Sequence, residues 1–311
     1  MAAKYVMKSE EENSKSSDDS VKLPNPHLSS MGEDILYHLE LGTKSHNLPK
    51  MFGDVKFVCM GGTPGRMKNF AHLLMDELDY KLPVGSEISE ITSYRFSMYK
   101  VGPVLSISHG MGVPSIGILL HEIIKLLYHA KAKNPVIIRI GTSGGIGIEP
   151  GTVVISDSAV DGLGNNFYEV AVLGKKVRRP AVFNKELIDE IKSCVDPKNP
   201  YETITGTTMC ANDFYEGQGR LDGAICDHSE SDKLNYLINL KGRVVNIEME
   251  ATVFAALTHR TGIKAAIVCV TFVDRLLGDQ LTSTKEQMED WQKRPQKLVA
   301  AYIKRSLGKS Y

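Results

Sequence analysis

The stretch PVIIRIGTSGGIG, Pro135 to Gly147, decides the fold. An apolar run, Val136, Ile137, Ile138 and Ile140, is interrupted by one arginine, Arg139. It then breaks into Gly141, Thr142, Ser143, Gly144, Gly145 and Gly147. A short apolar run ending in glycines predicts a buried strand that opens into a loop at a sheet edge. A guanidinium inside such a strand is costly to desolvate unless an anion meets it. Backbone N–H groups of a glycine-rich loop, with Thr and Ser hydroxyls, suit a phosphate-sized anion. An internal carboxylate beside an ordinary turn would serve as well, and the segment alone leaves both open.

Outward from this strand the same pattern repeats. Val55 to Met60 predicts a buried strand running into Gly61, Gly62, Thr63, Pro64, Gly65 and Arg66. Met67, Phe70, Leu73, Leu74 and Leu78 then follow at helical spacing. Tyr94 to Lys100 and Val104 to Ser108 predict two strands around Gly102-Pro103, followed by Gly110-Met111-Gly112. A strong helix starts at Pro114, with Ile116, Leu119, Leu120, Ile123, Leu126 and Leu127 on one face. Strands are expected at Thr152 to Ser156, Glu202 to Met209, Val244 to Ile247 and Lys264 to Val273. Helices are expected at Asn184 to Cys194, at Ser231 to Leu240, from Ala251, and at the basic C-terminus, with a short amphipathic piece around Asp34 to Leu39. Asp161 to Pro180 is less readable, with Gly162, Gly164, Asn165 and Asn166 suggesting a loop. Strands alternating with helices predict a single α/β domain with a mixed sheet, in which ligands sit where strand ends meet loops. Residues 1–30 are polar and read as a disordered tail, leaving 31–311 as the domain.

Composition narrows the function classes. The 311 residues are 42% hydrophobic and 24% charged, with formal net charge zero. No general attraction to nucleic acid or an anionic membrane is indicated. Five scattered cysteines form no CxxC, which predicts a reducing compartment and no cysteine-based metal site. No HExxH occurs among the nine histidines. No apolar stretch is long enough to span a bilayer and no signal-peptide core is present, which predicts a cytoplasmic protein.

Three arginines, Arg66, Arg95 and Arg139, fall at strand–loop junctions. Singly, each is more often a structural or surface group. Together with Thr142 they supply the charge and donors that a phosphate needs. Glu248-Met249-Glu250 lies between a strand and a helix. Glu248 is expected to cap that helix, and Glu250 to accept two sugar hydroxyls. Phe214, Gln218 and Arg220 combine a stacking face, a donor–acceptor pair and a fork of donors, which complements the C=O, N–H, C=O edge of a pyrimidine. Gly110-Met111-Gly112-Val113-Pro114-Ser115 approximates a dinucleotide fingerprint, but its third glycine is replaced and no acidic residue follows at the needed distance. Neither GxxxxGK[ST] nor GxSxG occurs.

The segment SHGMGVPSIGILLHEI, Ser108 to Ile123, resembles the signature of the nucleoside phosphorylase-I family, with Ile123 where leucine is usual. EDILYHLELGTKSHNLPKMFGDVKFVCMGG, IIRIGTSGGIG, MCANDFYEGQGRLDG, NIEME and RPQKLV resemble its animal uridine phosphorylases. The resemblance runs from about residue 24 to the C-terminus. It implies a central mixed sheet distorted toward a barrel, flanked by helices, in oligomers built from dimers. It implies reversible phosphorolysis of uridine to uracil and ribose 1-phosphate in pyrimidine salvage, with no metal or organic cofactor. Gly62, Arg66, Arg139 and Thr142 would bind phosphate, and Arg95 would reach the phosphate of the neighbouring subunit. His38 would cross the interface to the ribose 5′-hydroxyl. Met249 and Glu250 would hold ribose, and Phe214, Gln218 and Arg220 would hold uracil, with Arg275 near the base. Arg139, Glu250, Gln218 and Arg220 would carry catalysis. Two departures stand out: Tyr94-Arg95-Phe96 where many relatives have Asp-Arg-Tyr, and Asp274 where purine phosphorylases use an aspartate on the base. With Gln218 and Arg220 both present, a pyrimidine is favoured. A purine or broad-specificity phosphorylase and an inactive nucleoside-binding relative are the alternatives.

Overall fold

The computed structural model describes residues 19–83, 85–92 and 94–308. A short antiparallel pair, β1 (Ile35–Leu36) and β2 (Leu41–Gly42), brackets a 3-10 turn at Tyr37–Leu39 and leads into α1 (Leu48–Phe52). Then come β3 (Phe57–Gly61), α2 (Pro64–Glu77), β4 (Met98–Val101), β5 (Val104–Ser108), α3 (Gly112–His129) and β6 (Val136–Gly145). β7 (Val153–Asp161), the hairpin β8 (Phe167–Val172) and β9 (Lys175–Pro180), and α4 (Lys185–Lys192) follow. The chain ends with β10 (Thr203–Cys210), α5 (Glu230–Leu240), β11 (Asn246–Glu248), α6 (Ala251–Arg260), β12 (Lys264–Asp274) and α7 (Lys285–Ser306).

The main sheet runs β11-β10-β7-β12-β6-β3-β5-β4, and a further pairing joins β11 back to β6. Five strands, β6, β12, β7, β10 and β11, therefore close on themselves as a barrel, while β3, β5 and β4 extend from it as an open wing. The sheet is mixed: β6 is parallel to β12 and β3 but antiparallel to β11. Closure lets the inward faces of the ring form a core without an exposed edge. The helices wrap the outside. α3 buries Ile116, Leu119, Leu120, Ile123, Leu126 and Leu127, the face its periodicity predicts. α2 starts at Pro64, with Thr63 accepting the Arg66 N–H at 3.4 Å, so proline geometry and a side-chain cap fix where the helix begins.

One expectation changes, and two segments take a definite form. The glycine-rich segment after Ile140 is not a loop, because β6 continues through it to Gly145, in register with β12 at Gly141↔Cys269 and Thr142↔Val270. Two of its glycines make room for arginines. A Cβ on Gly141 would sit 2.7 Å from Arg139 Nη1, and one on Gly144 would sit 2.9 Å from Arg275 Cγ. Within Asp161 to Pro180 the loop suggested by its glycines and asparagines spans residues 162–166, and the β8–β9 hairpin follows it. The hairpin is half to fully exposed and its second strand reads KKVRRP, so it lacks the apolar alternation that identifies a strand. The short amphipathic piece at Asp34 to Leu39 forms β1 and the 3-10 turn, with Leu36 and Leu39 buried and Ile35 and Tyr37 exposed. Of the polar tail, residues 1–18 lie outside the described residues. Residues 19–30 pack on the domain: Ser20 bridges to Lys133, Val21 is buried and Pro26–Ser30 forms a 3-10 turn. No helix among the described residues is long and apolar enough to cross a membrane.

Gly141→Ala should therefore be destabilising by about 1–3 kcal/mol, as overpacking of a filled interior is. Gly32→Ala, where nothing lies within 4 Å of the added carbon, should change stability by no more than about 0.5 kcal/mol. Urea unfolding of both variants checks this, and equal effects would contradict the packing argument.

Candidate active site

A cavity of about 400 Å³ opens at the C-terminal ends of β3 and β6. Arg139, on the buried face of β6, reaches into it. Its Nη1 lies 2.9 Å from Glu248 Oε2 and donates to Cys269 Sγ at 3.3 Å, and its Nη2 donates to Glu250. Burial alone would lower the arginine's pKa, but Glu250 and Glu248 outweigh it and hold the guanidinium above its usual range. Both carboxylates have second duties. Glu248 accepts the N–H groups of Glu250 at 3.1 Å and Ala251 at 2.8 Å, capping α6 as expected. Glu250 accepts the Gly112 N–H at 2.5 Å, which ties the start of α6 to the start of α3. Two buried carboxylates facing one guanidinium cannot both ionise freely. Burial, with the Glu250 charge beside it, pushes Glu248 up to about 7 despite Arg139. Glu250 is lowered: burial raises it, but Arg139, then His109 and the Gly112 N–H, more than compensate. Arg66 joins this end from the first turn of α2, its Nε donating to Gln292 at 3.0 Å. Burial and the charge of Arg139 bring its pKa down to about 10, so it stays cationic at neutral pH.

A second group lines the same cavity around a 3-10 turn at Glu216–Gln218. The Arg220 guanidinium lies 4.2 Å from the Phe214 ring centroid, a stacked cation–π pair. Its Nη1 donates to the carbonyl of Asp279 at 2.6 Å. Asp279 organises this end: its carboxylate takes Arg275 at 2.9 Å, Lys233 at 2.8 Å and the Leu221 N–H at 3.0 Å. Arg275 in turn donates to the Gln218 side-chain oxygen at 3.3 Å and to its carbonyl at 2.9 Å. One lone pair of the Gln218 amide oxygen is thus spent, and its N–H₂ donors are left for the cavity. Among the described residues, six buried side-chain polar atoms have no partner, and four of them are His109 Nδ1 and Nε2, Arg139 Nε and Arg220 Nε. All three residues line this cavity.

Gly62, Arg66, Arg139, Thr142, Phe214, Gln218, Arg220, Met249 and Glu250 therefore meet in one place. Three residues named from the resemblance do not line it. Arg275 is fully buried behind the cavity and acts on it through Gln218 and Asp279. His38 and Arg95 lie on another face. His38 Nδ1 is 2.7 Å from Glu122, its ring packs against Tyr37 and Phe96, and Arg95 lies over Tyr94. Asp274 is also outside the cavity. Its carboxylate accepts the N–H groups of Gly147 at 2.9 Å and Leu276 at 3.0 Å, closing a turn. Sequence reasoning missed His109 and Asp279. His109 had one signal, its place between a buried strand and Gly110-Met111-Gly112; Asp279 sits in a polar loop and had none. Among the described residues, no group of three or more His, Cys, Asp or Glu is arranged to hold a metal ion.

The barrel closed by β11 on β6 thus carries a buried, paired arginine at its mouth and Phe214, Gln218 and Arg220 beside it, and the class of protein that this fold and site belong to is a phosphorylase. Residues 56–304 match the Phosphorylase superfamily. The chain is 54% identical to Uridine phosphorylase 2 of Homo sapiens, covering 93% of this chain and 92% of that one. It superposes on the crystal structure of uridine phosphorylase from Schistosoma mansoni in complex with uracil with a TM-score of 0.86 and 41% identity, covering 92% of this chain and all of that one. It is also 39% identical to Inactive uridine phosphorylase B of Schistosoma mansoni, over 91% of this chain and 96% of that one. The chain belongs to the phosphorylase superfamily and stands in its uridine phosphorylase branch, a family of pentosyltransferases.

The Glu248–Glu250 pair gives a pH prediction. Glu248's folded pKa is raised, so its contribution to stability is present below the unfolded carboxyl pKa and is lost as pH rises through about 7. Glu248→Gln, which stays neutral, escapes that loss. Its stability relative to wild type should improve between pH 5 and pH 8, by at most about 1.4 kcal/mol per pH unit. Denaturant titrations across that range measure the difference; a difference independent of pH would contradict the shared-charge account.

Proposed function

We propose that this protein catalyses the reversible phosphorolysis of uridine to uracil and ribose 1-phosphate. The observation that carries the proposal is the single cavity lined by Arg66, Arg139, Thr142, Met249, Glu250, Phe214, Gln218 and Arg220, in which the Nε donors of Arg139 and Arg220 are buried without a protein partner. Phosphate lies against Arg66, Arg139 and Thr142, with the Gly62 backbone beside it. Ribose lies against Met249, its hydroxyls accepted by Glu250. Uracil stacks on Phe214, with Gln218 and Arg220 along its carbonyl edge. A phosphate oxygen bonds to C1′ as the C1′–N1 bond breaks, and that electron pair passes to uracil, which then takes a proton from solvent. Gln218 and Arg220 face the carbonyl oxygens where negative charge develops, and one such preorganised donor is worth roughly 3 kcal/mol of barrier. Inorganic phosphate is the co-substrate, and no organic cofactor is invoked.

A pyrimidine is favoured over a purine because Asp274, the aspartate of purine enzymes, is spent on backbone N–H groups outside the cavity. A relative bears the name inactive, so likeness alone does not carry activity; the assembled arginines, Glu250 and the Gln218–Arg220 set support it here. His38 and Arg95 complete the site of a second copy in a homodimer. Ile35, Tyr37 and Tyr94 are more than half exposed beside them, an apolar and aromatic face suited to burial against another chain.

With phosphate present, uridine should be cleaved and inosine should not; cleavage of inosine in preference to uridine would overturn the Gln218–Arg220 assignment. Arg220→Ala should lower kcat by roughly 10²–10³-fold. Arg95→Ala and Arg139→Ala should each be nearly inactive. Mixed and allowed to exchange subunits, they should recover roughly a quarter of wild-type activity, because half the dimers are hybrids and each hybrid rebuilds one intact site. No recovery after proven exchange would contradict the shared site.

A further inference from the structure

One buried group in the cavity has no task in the reaction above. His109 follows β5 and precedes α3, with a side chain only 1% exposed. Its backbone is clamped: its N–H donates to the Gly61 carbonyl at 2.8 Å, and its carbonyl accepts the Ser115 hydroxyl at 2.6 Å. The ring is therefore aimed by its backbone, while neither ring nitrogen has a protein partner. Buried polar groups without a partner are disfavoured, and apolar residues of similar size would fill the same space. The neighbours explain why a histidine is useful there. Arg139, Glu250 and Arg66 all act on the ring, and all four residues line the cavity. Burial first, then Arg139, brings the imidazole down to about 3. The ring is neutral at working pH, so one nitrogen is an N–H donor and the other an acceptor.

We propose that His109 is a phosphate-binding residue of this cavity, donating its ring N–H to an oxygen of the phosphate held by Arg66 and Arg139. The proposal rests on the phosphate reading of the site. A neutral donor adds a hydrogen bond without adding a further cation to a pocket in which Arg66 and Arg139 already meet. The second nitrogen is left to accept a hydroxyl, which a singly protonated phosphate carries. His109 thus contributes to ground-state capture of phosphate rather than to the departure of the base.

The test uses the full-length protein, inorganic phosphate as the probe, and His109→Leu, His109→Gln and His109→Asn. Phosphate binding is read by calorimetry without nucleoside, and KM is read separately for phosphate and for uridine. His109→Leu should bind phosphate about tenfold more weakly, the loss of one hydrogen bond of ordinary strength. Its KM for uridine should stay within about twofold and its unliganded melting temperature should not fall, because the leucine leaves no polar atom unpaired. His109→Gln, which keeps a donor and an acceptor, should bind phosphate more tightly than His109→Leu. If wild type binds phosphate and His109→Leu binds it equally, the role of His109 is refuted while the phosphate site stands. If wild type does not bind inorganic phosphate, the phosphate reading itself falls, and this inference with it. Should the leucine variant fail to fold, equal phosphate affinity of wild type and His109→Asn, whose shorter side chain pulls the donor back, refutes the role in the same way.

Discussion

A guanidinium inside a β-strand has to be neutralised, and most of this structure follows from how Arg139 is. It lies between Glu248 and Glu250, on a segment that closes the barrel against β6. Ion pairs of this kind are weak sources of net stability, because desolvating the charges takes back most of the Coulomb gain. What the arrangement secures is position. Arg139 cannot swing to solvent, Gly141 leaves space for its head group, and the Glu250 carboxylate is fixed a second time by the Gly112 N–H. The Glu250 carboxylate and the Arg139 guanidinium are thereby one unit, so the two halves of the proposed chemistry share a rigid part.

The same logic repeats at the base end with the signs reversed. There an aspartate, Asp279, is the buried centre, and Arg275, Lys233 and the backbone of Leu221 neutralise it. Arg275 then sets the orientation of Gln218, and the Asp279 carbonyl holds Arg220 over Phe214. Each recognition side chain is aimed by a charged neighbour deeper in the protein. Preorganisation of this sort is what lets donors act on a developing charge without reorganising during the reaction.

Much of this was legible in the sequence. α3 announced itself through its apolar spacing, and Arg139 stood out as a charge in an apolar run. Both partners expected for that arginine matter: the carboxylates are observed, and the phosphate is proposed. The glycines after Ile140 were legible as special but read as a loop, whereas β6 continues through them to Gly145. Their reason is the volume of two arginine side chains, one of them Arg275, 131 positions further on than Gly144. Long-range packing of that kind leaves no local pattern. The β8–β9 hairpin was invisible because both of its faces are largely wet, and Asp279 because its partners come from three separate segments. Barrel closure was implied by resemblance only; no local signal states that β11 returns to β6.

The most direct test of the account is a double-mutant cycle on Arg139→Met and Glu250→Gln, read as unfolding free energy at pH 7. If the two side chains are one buried unit, each single change leaves a partner uncompensated, and the double variant should be less destabilised than the sum of the singles by about 1–3 kcal/mol. Additivity to within about 0.5 kcal/mol would show that the two act independently, and would contradict the claim that this pair organises the site.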